Sequence, residues 1–193
     1  MQDVGVTMEN YIVKEVPRFY RIIALKPFRR TKGVSFDIMP MEFLPRIDGI
    51  DRVIHVSNAL SPGSVMGVER PWYVHPHQED NLMVLHGKRI VDIYTKEYGR
   101  VEQFIVEPDR IIHNGELIYD GPAMLVWPCN VFHRIESGVE GSASLNFAVR
   151  HEGFDIKTNF SIYFVQCNAL GSTRNCTTIG KFSPTLTSYP TTS

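Results

Sequence analysis

Residues 75–87 read HPHQEDNLMVLHG, and this stretch decides how the rest of the chain is interpreted. In an extended strand, the side chains of residues i and i+2 point to the same face. His75 and His77 therefore direct two imidazoles into one space, and the apolar run that follows them predicts a buried strand closed by Gly87. A second stretch, at residues 128–133, reads PCNVFH and follows another apolar run.

The two stretches together predict a transition-metal site. His133, at the end of the second stretch, comes from a distant part of the sequence and brings a third imidazole. Three imidazoles with a carboxylate from Glu79 or Asp80 would suit Fe, Mn, Ni, Zn or Cu as the divalent ion. The alternative interpretation is that these histidines are surface or turn residues, in a chain that has seven of them.

Both stretches resemble the signature motifs of the cupins, which are one-domain β-barrels. The first cupin motif has two histidines flanking one residue, then a Glu, then a strand that ends in Val-Leu-x-Gly. The second motif reads Pro-x-Gly-x-x-His, and PCNVFH is similar to it with Asn130 at the glycine position and His133 as the histidine. Asn tolerates a positive φ better than most residues, so the turn can be kept. The resemblance covers residues 62–165 and implies a jelly-roll barrel whose mouth holds the metal.

The fourth ligand has two candidates. Counting back from the Val-Leu-x-Gly end of the strand places the cupin Glu at Asp80 or Asn81, whereas strand parity with the histidines favours Glu79 or Asn81. Asp80 would require a β-bulge after His77 to reset the parity. We favour Asp80, with Glu79 and a site of three histidines as the alternatives.

Composition places the chain among ordinary single-domain proteins. It has 193 residues, of which 43% are hydrophobic and 21% charged, and a net charge of −1. This balance gives no argument for a nucleic-acid or membrane partner, and no apolar run approaches the roughly 20 residues that span a bilayer. Three cysteines without a disulfide framework and the absence of a signal-peptide core predict a cytoplasmic protein.

The strand pattern predicts an all-β fold. From Val34 onward, short apolar and β-branched runs alternate with turn residues, and Asn114-Gly115 predicts a two-residue hairpin. Such a pattern indicates a sandwich or barrel, and the resemblance narrows this to a cupin-like double-stranded β-helix with an N-terminal arm. We predict an arm at 1–33, the cupin β-barrel at 34–165 and a disordered tail at 166–193.

The flanks differ from the barrel in composition. Residues 16–36 carry six Lys and Arg, no Asp or Glu, and several aromatics, which indicates either an anion-binding patch or, as we favour, an arm that packs its aromatics on the barrel. A short helix at Glu9 to Val16, stopped by Pro17, is also expected. Residues 166–193 hold seven Thr and four Ser, and this composition predicts disorder.

The resemblance implies a metal-dependent enzyme for a small organic molecule, either an oxygenase or an isomerase or lyase that works through an enolate. The alternative is a non-catalytic cupin that binds a sugar or metabolite, but the intact histidine trio favours the enzyme. Sugar-nucleotide epimerases of similar architecture, which use a His–Asp pair instead of a metal, are a third option without a clear match. A homodimer is expected because cupin-like barrels commonly pair.

A cation at the barrel mouth would hold a substrate carboxylate or enolate. Five residues lie on strands or turns that can rim the mouth, and they are Arg70, Tyr73, Lys88, Arg110 and His113. For each of them, the favoured alternative is an exposed position at a strand edge. His86 shares the parity of Asp80 and is expected either to face the cavity as a base or to lie on the surface.

Overall fold

The computed structural model describes residues 11–44, 46–170 and 173–182. Its strands are β1 (Ile12–Val16), β2 (Tyr20–Ala24), β3 (Lys26–Thr31), β4 (Val34–Ile38), β5 (Gly49–His55), β6 (Leu60–Ser61), β7 (Trp72–Val74), β8 (Gln78–Tyr94), β9 (Val101–Glu107), β10 (Arg110–His113), β11 (Glu116–Asp120), β12 (Ala123–Trp127), β13 (Phe132–Arg150), β14 (Ser161–Leu170) and β15 (Thr173–Phe182). A short 3-10 helix spans Met41–Phe43. Thirteen strands form one sheet, while β3 and β4 form a separate two-stranded sheet. The prediction of an all-β jelly-roll fold is confirmed.

Two long strands, β8 and β13, give the fold its two layers. The first half of β8 pairs with β12 and its second half pairs with β9. Leu82 and Ile93, from opposite halves of β8, lie in the same buried cluster. The strand therefore folds over, and its two halves face each other across the core.

Glycines make this bend possible. Gly87 has a φ of +65° and Gly141 a φ of +74°, a region that L-residues with a Cβ avoid. A Cβ on Gly87 would lie 2.2 Å from the carbonyl oxygen of Gly141, which shows how closely β8 and β13 approach there. The bend also changes the strand parity, because even-numbered Leu82 is buried before it and odd-numbered Val91 after it.

The predicted hairpin at Asn114-Gly115 is confirmed, since both residues have a positive φ and His113 pairs with Glu116. The predicted packing of arm aromatics is confirmed for Phe19 and Tyr20, which are buried in the main core. It does not hold for Phe28, which is 66% exposed.

The predicted N-terminal boundary differs from the structure. Strands β1 and β2 join the main sheet through β12, and the β3–β4 hairpin crosses the predicted limit at residue 33. The helix expected up to Val16 is wrong over 12–16, where β1 forms instead. Val13 and Val16 pack against the core from this strand, which suits their β-branched side chains. Residues 1–10 lie outside the described part of the chain.

The predicted disorder is also wrong for much of the tail. Strand β14 pairs with β15 along its length, with one register shift between Phe164 and Val165, and it also pairs with β7. Val165 is buried, and the Tyr94 hydroxyl donates to the Cys176 carbonyl at 2.9 Å. The Thr-rich composition that indicated disorder also suits strands, because threonine is β-branched. Residues 183–193 lie outside the described residues.

A disulfide was not expected from the sequence, yet Cys176 is disulfide-bonded. In the backbone register of β14 and β15, Cys176 lies opposite residue 167. Over the ranges that the structure describes, no helix is long and apolar enough to cross a membrane.

Candidate active site

A cavity of about 130 Å³ lies between the two layers, lined by side chains from β5, β7, β8, β12 and β13. Leu82 contributes to its apolar wall, together with Trp127 and Phe160. Val84 and Phe147 do not line this cavity and are buried in the hydrophobic clusters. The cavity therefore combines apolar walls with a set of polar side chains.

Three of the predicted metal ligands meet in this cavity. The Nε2 atom of His75 lies 3.4 Å from Oδ2 of Asp80, and the Nε2 atom of His133 lies 4.0 Å from the same oxygen. One ligand atom from each of the three residues lies within 4.8 Å of the others, and all three residues are buried. The structure thus brings together two histidines and one carboxylate.

Backbone carbonyls fix the tautomers of both histidines. Nδ1 of His75 lies 3.2 Å from the Asn159 carbonyl oxygen, and Nδ1 of His133 lies 3.2 Å from the Val131 carbonyl oxygen. Because a carbonyl only accepts hydrogen bonds, each Nδ1 carries the hydrogen, and each Nε2 presents a lone pair to the cavity. Burial and the neighbouring His75 lower the pKa of His133 to about 4, which keeps this ring neutral at physiological pH.

Asp80 is oriented by two amides. Its Oδ1 accepts a hydrogen bond from Nε2 of Gln78 at 2.8 Å and another from Nδ2 of Asn146 at 2.7 Å. Asn146 is itself fixed, since its side-chain oxygen accepts from the backbone N–H of Asn81 at 2.9 Å. These contacts leave Oδ2 of Asp80 facing the two histidines, as outer partners do around metal ligands.

The turn of the second motif holds the first motif in place. Asn130 has a φ of +65°, as expected for the residue at the glycine position of the motif. Its backbone N–H donates to the carbonyl oxygen of His75 at 2.9 Å. The turn that precedes His133 therefore also positions His75.

His77 and Glu79 do not reach the cluster. His77 is half-buried and packs over Gly153, where an added Cβ would lie 2.9 Å from the imidazole Cε1. Glu79 lies 3.6 Å from an Arg21 nitrogen, outside the cavity. The reason is a bend of the chain at Pro76 and His77, after which β8 begins at Gln78. Side chains alternate between two faces only within one continuous strand, so the predicted positions of His77 and Glu79 beside His75 are wrong.

The charged residues predicted at the rim of the cavity lie away from it. Arg70 pairs with Glu136 at 3.1 Å, and His113 contacts Glu102 at 2.8 Å. Lys88 and Arg110 lie around another surface depression, together with the exposed His86. Of the predicted rim residues, Tyr73 alone lines the cavity within the described part of the chain.

Arg89 and His55 also line the cavity, and neither is indicated by the sequence motifs. Arg89 is 1% exposed, and burial lowers its pKa to about 10. Burial, and then the positive charge of Arg89, lower the pKa of His55 to about 4. Parity counted from Asp80 places Arg89 outward, but Gly87 between them changes the parity. That glycine was the one available signal.

No protein-family model matches the sequence, and a search of curated proteins finds no match. Solved structures give three informative likenesses. A 3,4-ketoisomerase from Helicobacter canadensis matches with a TM-score of 0.51 and 14% identity over 73% of this chain and 88% of that one. A sugar 3,4-ketoisomerase from Thermoanaerobacterium thermosaccharolyticum, in complex with TDP, matches with a TM-score of 0.50 and 17% identity over 75% and 88%.

The third likeness is to dTDP-4-dehydrorhamnose 3,5-epimerase from Sulfolobus tokodaii, with a TM-score of 0.51 and 12% identity over 73% of this chain and 76% of that one. At such identities the likeness concerns the fold and not the reaction. The chain has the cupin-type jelly-roll fold that these sugar isomerases and epimerases share.

Proposed function

We propose that this chain is a metal-dependent enzyme that isomerises or epimerises a small carbonyl compound in its barrel cavity. The observation that carries the proposal is the convergence of His75, Asp80 and His133 within 4.8 Å at the cavity wall. Lone pairs at such separations repel one another unless a proton or a metal ion lies between them.

The donor set fits a divalent transition metal held by His75, Asp80 and His133. Each histidine has its other ring nitrogen tied to a backbone carbonyl, which is the usual outer contact of a metal-binding imidazole. In a His–Asp proton relay, the carboxylate takes one ring N–H and the other ring nitrogen meets the substrate. Here Asp80 faces the same Nε2 atoms that face the cavity, which favours a cation over a relay.

A divalent metal supplies Lewis-acid polarisation of a substrate oxygen when it is bound. The protein contributes the enclosure and the orientation. Trp127, Leu82 and Phe160 line the cavity and limit the access of water, while Gln78 and Asn146 hold the carboxylate of Asp80 in one direction. The volume of about 130 Å³ suits a small molecule. The ketoisomerases and the epimerase of similar fold support the isomerase class by analogy.

A second reaction class is an O₂-dependent oxidation with Fe(II). Two histidines and one carboxylate with open positions form the ligand set that non-haem Fe(II) oxygenases use, and the cluster of His75, Asp80 and His133 has this composition. The two classes predict different metal requirements and different use of O₂.

The metal assignment is tested by elemental analysis and metal titration of matched variants. Asp80→Asn and His133→Ala should reduce the affinity for the metal more than tenfold, because each removes a direct ligand. Glu79→Gln and His77→Ala are the controls, since these residues neighbour the site in sequence but lie outside the cavity. Stoichiometric metal in purified Asp80→Asn, or loss in the two controls alone, would contradict the assignment.

The reaction is tested with protein loaded in turn with Fe, Mn, Ni, Zn and Cu. Small oxo- and hydroxy-compounds are incubated in D₂O under nitrogen, and proton NMR follows deuterium entry next to the carbonyl. We expect metal-dependent exchange that Asp80→Asn abolishes. Oxygen uptake with Fe alone would favour the oxygenase, and tight binding without any turnover would favour a non-catalytic binding module.

A further inference from the structure

Arg89 is a buried cation that forms no ion pair with a carboxylate of the described residues. It is 1% exposed and lies in the cavity wall. Within the described ranges, no Asp or Glu forms an ion pair with it, although the chain has many other such pairs. Arginine is rarely buried without a negative partner, because removing its charge from water is costly.

The contacts of Arg89 leave donors unused. One terminal nitrogen donates to Nε2 of His55 at 3.4 Å, and the other donates to the Val53 carbonyl oxygen at 3.1 Å. Both acceptors are neutral, and the buried Nε of Arg89 has no hydrogen-bond partner within the described part of the chain. A guanidinium has five N–H donors in a planar fork, so these two contacts do not saturate it.

Other residues of the cavity wall also carry buried donors that have no partner among the described residues. Because His55 accepts at Nε2, its hydrogen is on Nδ1, and this atom is buried with no partner in residues 11–44, 46–170 and 173–182. In the same described ranges, the hydroxyl of Ser144 is likewise buried without a partner. Arg89, His55 and Ser144 all line the cavity. This group is therefore rich in donors, whereas the cluster of His75, Asp80 and His133 presents lone pairs.

We propose that Arg89, with His55 and Ser144, forms an anion subsite that binds the carboxylate of the small molecule. Together with the proposed function, on which this step rests, it makes the substrate class small oxo acids. A planar carboxylate matches the fork of a guanidinium. A carboxylate that accepts from the unused donors also removes the desolvation cost of leaving them unpaired.

The net charge of the cavity with a divalent ion bound would suit a ligand that carries one negative charge. Apart from histidines, its charged side chains in the described residues are Asp51, Asp80 and Arg89. These carry one net negative charge, which a divalent ion would turn into one net positive charge. A monocarboxylate then neutralises the cavity, whereas a neutral molecule leaves a buried charge uncompensated.

The test compares pyruvate with its neutral amide, pyruvamide, by calorimetric titration of the full chain with and without bound metal. We expect the metal-loaded wild type to bind pyruvate at least tenfold more tightly. This ratio should fall to about one in Arg89→Gln, which keeps its metal. Arg70→Gln removes an equal charge outside the cavity and should leave the ratio unchanged.

A second measurement distinguishes a ligand-binding arginine from a structural one. Arg89→Met should not lower the thermal midpoint of the ligand-free protein, because it removes a buried charge, but it should abolish the midpoint rise that pyruvate gives the wild type. Equal affinity of the wild type for pyruvate and pyruvamide overturns the subsite, whether or not the variants fold. A tenfold preference in protein that binds no metal keeps the subsite and contradicts the proposed function.

Discussion

Glu102 offers a sharp test of how the barrel is stabilised away from its cavity. This carboxylate is 3% exposed and accepts hydrogen bonds from Nε2 of His113 at 2.8 Å and from Nε of Arg100 at 2.7 Å. The side-chain amide of Asn114 donates a third. We predict that Glu102→Gln, which keeps the shape and removes the charge, lowers the free energy of unfolding at neutral pH.

The size of the effect follows from the pKa of Glu102. Burial raises this pKa, but the hydrogen bonds from His113, Asn114 and Arg100 outweigh burial and bring it from 4.5 to about 2. Each pKa unit corresponds to about 1.4 kcal/mol, so the charged form contributes about 3 kcal/mol. Because the folded pKa lies below the unfolded one, this contribution is complete above pH 4.5 and is lost as the pH falls towards 2.

The assay is urea unfolding of wild type and Glu102→Gln at several pH values between 7 and 3. The difference in free energy should be about 3 kcal/mol at pH 7 and should shrink below pH 4.5. Glu107→Gln is the control, since Glu107 pairs with Arg110, whose side chain is 53% exposed, and exposed pairs contribute little. A difference no larger than the control at pH 7, or one that stays constant down to pH 3, would refute the reasoning.

Three further predictions concern the backbone and the surface. Gly87→Ala should destabilise the chain by several kcal/mol in thermal or urea unfolding, because its Cβ would meet a backbone oxygen at 2.2 Å. The control is Gly33→Ala, which has a similar φ but open space around it and should cost about 1 kcal/mol. Equal losses of stability in the two variants would contradict the steric explanation. Asn130→Gly should keep both the stability of the chain and its metal affinity. Asn130→Val should lose both, because β-branched residues avoid the φ of +65° at this position. An Asn130→Val variant that is stable and binds metal would contradict this prediction. In the β3–β4 hairpin, Phe28 is 66% exposed and Phe36 is 49% exposed, so we expect a homodimer that covers this hairpin. Light scattering should show a dimer for the wild type and a monomer when Phe28 and Phe36 are both changed to Ser. A monomeric wild type at micromolar concentration would contradict the predicted dimer.

The fold could be predicted because its signals are local. The Asn114-Gly115 turn and the alternation of apolar runs with turn residues depend only on nearby residues, and the structure keeps them. The tail could not be predicted in this way. Its strands depend on pairing with β7 and with each other, and composition alone does not reveal a partner that lies ninety residues earlier in the chain.

Part of the candidate site could also be predicted. His75, Asp80 and His133 were expected and lie together. His77 is predicted beside them if side chains alternate regularly between the two faces of a strand. The bend at Pro76 and His77 interrupts that alternation. The same assumption hid Arg89. Side chains alternate between the two faces of a strand only where the strand is regular. A bend or a glycine kink between two residues can therefore change whether they lie on the same face.

The bend in β8 is what creates the candidate site, and this gives Gly87 a functional meaning beyond packing. Asp80 and Arg89 lie nine residues apart on one strand. In a straight strand, side chains at that spacing would be roughly 30 Å apart and on opposite faces. The bend at Gly87 folds the strand and changes its parity, so that both residues line the same cavity. The lone-pair cluster and the proposed anion subsite therefore depend on one another through a single glycine, and a change that straightens β8 should abolish metal binding and carboxylate binding together.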